Sequence, residues 1–190
     1  SETVRKVEAA IEQTGYAANP VARSLKRGRS NLIGMVMTDI TNPFFGSLLL
    51  AIEGIAAENG YLVILSDTRG SARIEADLLG LMSAQMVAGT ILSPVGLYEG
   101  PPTHIHKLKM PLVLFDQQIA GTKADYVGTD NELATAMLCE HLIRFRHRDI
   151  AFIGGTPGLH SAERRKAGFF RTMAQAGLPK GSPDWIRAGD

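Results

Sequence analysis

Short, nearly unbroken apolar runs alternate along this chain with longer stretches in which apolar residues recur every three or four positions. The runs at 32–38, 61–66, 89–92 and 111–115 read as buried strands, with briefer ones expected at 126–128 and 149–153. Between them, residues 44–59, 72–86, 104–109, 131–145 and 162–176 carry a helical pattern. Leu48, Ile52, Ile55 and Ala56 share one face of the first helix, and Gly60 closes it. Ala134, Leu138, His141, Leu142 and Phe145 share a face of the fourth. Ahead of this region, Val4, Val7, Ala10 and Ile11 mark a helix capped by Ser1 and stopped near Gly15. Pro20 suits the first turn of a second, short helix. The tail 181–190 reads as a loop leading into a further strand.

Apolar strands alternating with helices predict an α/β fold, a doubly wound parallel sheet covered on both faces. Its crossovers are expected to be right-handed. Ligands of such sheets collect at the carboxyl ends of the strands, near a topological switch point. The residues just past each strand therefore carry the chemistry: Asp39, Asn42, Phe44 and Phe45; Asp67; Ser93; Asp116; Asp130; and Ser161 with Arg165. The last strand–helix pair cannot build a stable sheet alone.

The chain has 190 residues, 45% of them hydrophobic, enough for one or two domains with a sizeable core. Its formal net charge is only +1, so the cluster of Arg23, Lys26, Arg27 and Arg29 is a local feature. No acidic residue lies between Glu12 and Asp39. Two readings fit that run: a solvated basic linker, or a patch for the DNA phosphate backbone. Leu25 among small residues and flanked by cations has the composition of a minor-groove wedge. The single cysteine, Cys139, excludes an internal disulfide and fits a reducing compartment. No stretch approaches the roughly 20 apolar residues of a membrane span. The first residues lack the apolar core of a secretory signal. A cytoplasmic location is expected. The first residue is not Met, so the sequence is expected to be a piece of a longer one.

Other signals point nowhere. His104-Ile105-His106 lacks Cys or carboxylate companions at metal-site spacing and is expected on a loop or helix surface. Gly154-Gly155-Thr156-Pro157-Gly158 is not followed by the Gly-Lys-Ser/Thr of a phosphate-binding loop. No serine stands in a nucleophile elbow. Cys139 reads as a small, partly buried helix residue. No catalytic constellation, metal or cofactor is expected.

The order of the pieces is more specific than any one of them. Gly15-Tyr16, residues 19–25 (Asn-Pro-Val-Ala-Arg-Ser-Leu) and Asn31-Leu32-Ile33-Gly34 are followed by Asn42-Pro43-Phe44-Phe45 and Gly60-Tyr61. Val127-Gly128-Thr129-Asp130-Asn131, His147-Arg148-Asp149-Ile150 and Arg165-Lys166-Ala167-Gly168-Phe169 complete the series. In this order they resemble the LacI/GalR transcriptional regulators over essentially the whole chain. The resemblance implies a type I periplasmic-binding-protein-like core of two subdomains, the second incomplete, after a short helical DNA-binding and hinge segment. It divides the chain into the last helix of a helix-turn-helix headpiece (1–18), a hinge helix and linker (19–30), an effector subdomain (31–129) and the start of a second (130–190). The base-reading helices of the headpiece are expected to be absent from the sequence.

The resemblance also assigns roles. Asn19, Val21, Ala22, Arg23, Ser24, Leu25, Lys26, Arg27 and Arg29 become operator-DNA contacts, with Leu25 the wedge and the cations on phosphates. A hinge helix this short is marginal in water and is expected to order on DNA. The small-molecule effector, a sugar, sugar acid or purine, would meet Asn42, Phe44, Phe45, Asp116, Ser161, Arg165 and Asp130. An aromatic face suits the C–H side of a sugar ring; one of the two phenylalanines is expected in the cleft and the other in the core. Asp116 reads as a hydroxyl-binding carboxylate or as a loop cap. Ser161 and Arg165, four apart, share a helix face, and an arginine fork holds two acceptors at once. Asp130 reads as a cap with ligand contact open to it. A homodimer is implied, with no membrane partner. A sugar-binding solute receptor on the same core is the alternative; it would carry a secretory signal and lack the basic hinge.

Overall fold

The computed structural model describes residues 2–14 and 28–178. Within them α1 spans Glu2–Thr14, followed by β1 (Leu32–Met37), α2 (Pro43–Glu58), β2 (Leu62–Asp67), α3 (Ala72–Ala84) and β3 (Gly89–Leu92). Then come α4 (Thr103–His106), β4 (Leu112–Phe115), β5 (Asp125–Val127), α5 (Asn131–Arg144) and α6 (His160–Gln175). The expected second short helix at Pro20 and the tail strand lie outside the described residues.

All five strands run parallel, in the order β2-β1-β3-β4-β5. The chain leaves β1 in one direction to form β2, then crosses back to form β3. The switch point predicted for a doubly wound sheet therefore lies between β1 and β3. Alternation along each strand sends Met35 and Met37 to one face and Val36 to the other. On the first face, Phe45, Leu48, Leu49 and Ile52 of α2 cover Met35, Met37 and Phe115. On the opposite face, Leu79 and Met82 of α3 and Ile105 of α4 cover Val36, Leu92 and Leu114. Gly34 lets α3 approach this closely, since a Cβ there would sit 2.9 Å from Met82 Sδ. The amino end of β1 is pinned by Ser30, whose N–H (2.8 Å) and hydroxyl (3.1 Å) both donate to the Met86 carbonyl.

Beyond the sheet, α5 and α6 form a closely packed pair around Cys139, Ile150, Phe169 and Met173. Gly168 makes the crossing possible: a Cβ there would overlap the Glu132 carbonyl oxygen. Glu132 in turn receives Arg164 and Arg171 from α6. Burial pushes the Cys139 thiol up, helped by the charge of Glu140.

Three expectations are corrected here. Residues 149–153 form no strand, because no neighbouring strand among the described residues offers a ladder of hydrogen bonds. Ile150 and Phe152 still turn inward, Phe152 stacking on Phe169 at 5.1 Å, while Ile153 stays exposed. The face expected to be buried on α5 is wrong: Thr135, Ala136 and Cys139 are buried, and Leu138, Leu142 and Phe145 are exposed. On α2, Ile55 likewise points outward.

Candidate functional site

The start of α2 sets the geometry. Asn42 caps the helix, its Oδ1 accepting from the Phe44 N–H at 3.0 Å, and Pro43 occupies the first turn with its φ already suited to it. Consecutive helix residues point about 100° apart, so the two phenylalanines diverge. Phe45 is buried against Phe115, edge to face at 5.8 Å. Phe44 is 57% exposed. Its ring borders a hollow of about 390 Å³ between α2 and the β3–β5 half of the sheet, lined also by Leu48, Ile91, Phe115, Asp116, Val127 and Thr129. One ring thus lies in the core and the other borders the hollow.

Opposite Phe44, Asp116 ends β4 with φ at 61°, in the left-handed region. Its conformation is held on several sides. The Gln117 N–H reaches back to the Phe115 carbonyl at 2.7 Å, closing a three-residue turn, and the Asp116 N–H donates to Val127. The Tyr126 hydroxyl donates to the Asp116 carbonyl at 3.1 Å. A side chain at Gly128 would overlap that hydroxyl, so the glycine makes room for it. Burial, and then the charge of Asp116, raises the Tyr126 phenol above its ordinary value. Aspartate is one of the few residues besides glycine that visit this backbone region, and the turn leaves it lining the hollow.

The remaining expected effector contacts scatter. Asp130 caps α5, accepting from the Leu133 N–H at 3.0 Å. Arg165 donates to Asn131 Oδ1 at 2.9 Å and packs beside Gly155. Ser161 is buried at the start of α6. Asn42, Phe45, Asp130, Ser161 and Arg165 all lie outside the lining of the hollow. Ser161 is nonetheless joined to it through a residue that nothing in the sequence marked. The buried Gln117 amide donates to Ser161 Oγ at 2.6 Å and to Asp116 Oδ2 at 3.1 Å. Its carbonyl accepts from the Ser161 N–H at 3.2 Å. Other strand-end carboxylates serve their own loops: Asp39 binds Thr41, whose hydroxyl and N–H hold its acid low, and Asp67 accepts from the Arg69 N–H.

His104 is also corrected. It is not merely a surface residue: its Nε2 lies 2.8 Å from Oε1 of Glu75, a carboxylate with no exposed surface. Glu75 also accepts from the Tyr98 hydroxyl (2.9 Å) and the Val95 N–H (2.8 Å), tying α3 to the loop after β3. Burial, and then the Glu75 charge, drives the Tyr98 hydroxyl far above the usual phenol range. Among the described residues no group of three or more His, Cys, Asp or Glu side chains is placed to hold a metal ion. Of the expected DNA contacts, Arg29 is exposed in the bend after Gly28; Asn19, Val21, Ala22, Arg23, Ser24, Leu25, Lys26 and Arg27 lie outside the described residues. No described helix is long and apolar enough to cross a membrane.

Residues 33–187 match the family model described as a periplasmic binding protein domain. The chain belongs to that family. It is similar to the HTH-type transcriptional regulator PtxS of Pseudomonas plecoglossicida, 34% identical over 91% of this chain and 51% of that protein. It is also similar to the HTH-type transcriptional repressor PurR of Vibrio parahaemolyticus, 31% identical over 99% of this chain and 56% of that one. Among solved structures, a provisional ribose operon repressor from Burkholderia thailandensis superposes with a TM-score of 0.77 at 30% identity, covering 84% of this chain and 61% of its own. A periplasmic binding protein/LacI transcriptional regulator from Alkaliphilus metalliredigens, complexed with D-xylulofuranose, gives 0.71 at 25% identity, covering 84% and 56%. The resemblance to LacI/GalR regulators and the α/β fold read from the sequence are both borne out. The chain spans about half the length of the curated relatives it matches.

Proposed function

We propose that this chain is the effector-sensing part of a DNA-binding transcriptional regulator, a repressor whose operator affinity answers to a sugar or sugar derivative. The observation that carries the reading is the hollow with the Phe44 ring on one wall and the Asp116 carboxylate on another. An aromatic ring packs on the C–H face of a sugar while a carboxylate accepts from its hydroxyls. That a similar regulator was solved with D-xylulofuranose supports this choice of ligand class. In this reading residues 31–129 form one subdomain, 130–190 begin the second, and Arg165 and Ser161 reach the effector when the two close on it. The ligand shifts DNA affinity by preferring one subdomain angle over another.

The basic segment 19–30 is the proposed tether to DNA. Leu25 acts as the wedge, at a cost of a few kcal/mol of unstacking that the bent duplex repays in contact area. Arg23, Lys26, Arg27 and Arg29 neutralise phosphates and give binding its salt dependence. The working form is a cytoplasmic homodimer, and the protein performs no catalysis. The test is a melting-temperature panel of monosaccharides, sugar acids and purines on the full-length protein. At least one monosaccharide or sugar acid is expected to raise the midpoint, and Phe44→Ala or Asp116→Asn to abolish the rise. A rise that survives in both variants would remove these two residues from the site.

A further inference from the structure

The α5–α6 pair touches the sheet unit through a small, specific set of contacts next to Asp116, the residue that also lines the hollow. Gln117 is at their centre. Its NH2 faces the Asp116 carboxylate (3.1 Å) and the Ser161 hydroxyl (2.6 Å) together, and its carbonyl takes the Ser161 N–H (3.2 Å). The carboxylate fixes the amide's orientation, because an ionised aspartate only accepts and the reverse orientation would set two acceptors against each other. The Ser161 N–H belongs to the first turn of α6, whose leading donors have no partner inside the helix. Gln117 supplies one from outside, and no capping side chain is present at Leu159.

Two apolar contacts flank the amide and interlock. A Cβ on Gly96 would sit 2.8 Å from Leu159 Cδ2, and one on Gly158 would sit 3.0 Å from Leu97 Cδ2. Each leucine thus covers a glycine of the other unit, and both glycines have positive φ. Tyr126 and His160 add an edge-to-face pair at 6.1 Å. The joint therefore has a defined seat.

We propose that Gln117 is the positioning residue that couples the hollow to the angle between the sheet unit and the α5–α6 pair. It does so by holding Asp116 and Ser161 in one hydrogen-bonded set. A ligand that draws on the Asp116 carboxylate or the Ser161 hydroxyl competes with Gln117 for that group, and loss of the Gln117 bond re-seats the start of α6. The inference rests on the proposed reading of Asp116 and Ser161 as effector contacts.

The test uses neither ligand nor DNA, so its outcome is separate from that of the melting panel. In the full-length protein, nitroxide labels at Glu58→Cys and Glu140→Cys report the distance between α2 and α5 by pulsed electron spin resonance. The parent protein is expected to show one narrow distance. Gln117→Leu and Ser161→Ala should each add a second distance, changing the ratio of the two angles roughly tenfold, the effect of about one net hydrogen bond. Ser161→Thr, which keeps the hydroxyl, should restore the single distance, an outcome that mere loss of packing would not give. Circular dichroism melts confirm that each variant is folded. If Gln117→Leu does not fold, Ser161→Ala against Ser161→Thr decides. An unchanged distance distribution in the folded Ala or Leu variants overturns the proposal.

Discussion

Gly168→Ala is the most informative single change in the molecule, because two effects of known size oppose each other there. Replacing a mid-helix glycine by alanine favours the helix by about 1 kcal/mol. At Gly168 the new methyl would overlap the Glu132 carbonyl oxygen and lie 3.1 Å from its carbonyl carbon and Cα. Those atoms are backbone within α5 and cannot rotate away. The helices must separate, and Phe169 and Met173 lose contact with Cys139 across the crossing. Forcing a methylene into a packed core costs about 1–3 kcal/mol, more where backbone is the obstacle. With backbone as the obstacle the cost lies at the upper end, about 3 kcal/mol, and less the helix gain of about 1 it leaves a loss of about 2 kcal/mol, lowering the melting midpoint by roughly 4–8 °C for a chain of this size. Gly80→Ala is the control: it is an exposed mid-helix glycine with nothing within 4 Å of the added carbon. It should gain about 0.5–1 kcal/mol. Thermal melts by circular dichroism on the parent and both variants read the signs directly. If Gly168→Ala melts at or above the parent temperature, α5 and α6 do not cross as described.

Other consequences are equally concrete. Asp116→Gly should be more stable than Asp116→Ala by about 1 kcal/mol, since only glycine adopts φ near 61° without penalty; equal chemical-denaturation midpoints would dismiss strain at this site. Glu75→Gln should cost about 2 kcal/mol, because an amide cannot accept from Val95, Tyr98 and His104 as the carboxylate does; an unchanged melting midpoint would refute that. The raised Tyr98 pKa means its stabilising contribution is complete below the ordinary value of 10.0 and fades as the pH climbs beyond it. Tyr98→Phe should therefore flatten the alkaline fall in stability and delete the last phenolate absorbance to appear in a pH titration. If that late absorbance persists in the variant, the assignment fails.

Most of the sheet could be read from residue order alone. β1, β2, β3 and β4 are apolar on both sides because helices cover both faces, so their runs stand out from any flanking stretch. Residues 149–153 have the same composition and form no strand, since pairing depends on a neighbour and not on the segment itself. The apolar face of α5 was misjudged for a related reason: periodicity finds Leu138 and Phe145, yet burial follows whichever face α6 occupies. Phe44 and Asp116, which line the hollow, stand just past strand ends, where the sequence reading looks for them. Gln117 was not legible, because an amide next to an aspartate carries no pattern until the fold brings Ser161 to it. Glu75 was hidden in the same way, as a helix carboxylate whose donors come from a loop 20 and more residues away.

Ser30 fastens the chain at the amino end of β1, whereas Phe44 and Asp116 stand at the other end of the strands. Six residues of extended backbone, about 20 Å, separate the two levels. Met35, Val36 and Met37 fill the interval with a fully buried wall. Among the described residues no side-chain hydrogen bond joins the two levels, and a close-packed interior of low compressibility passes strain on as a body. Anything sensed at the far rim can arrive at the segment upstream of Ser30 only as displacement of the slab as one piece, which makes the slab a lever and leaves the force to whatever it is bolted against.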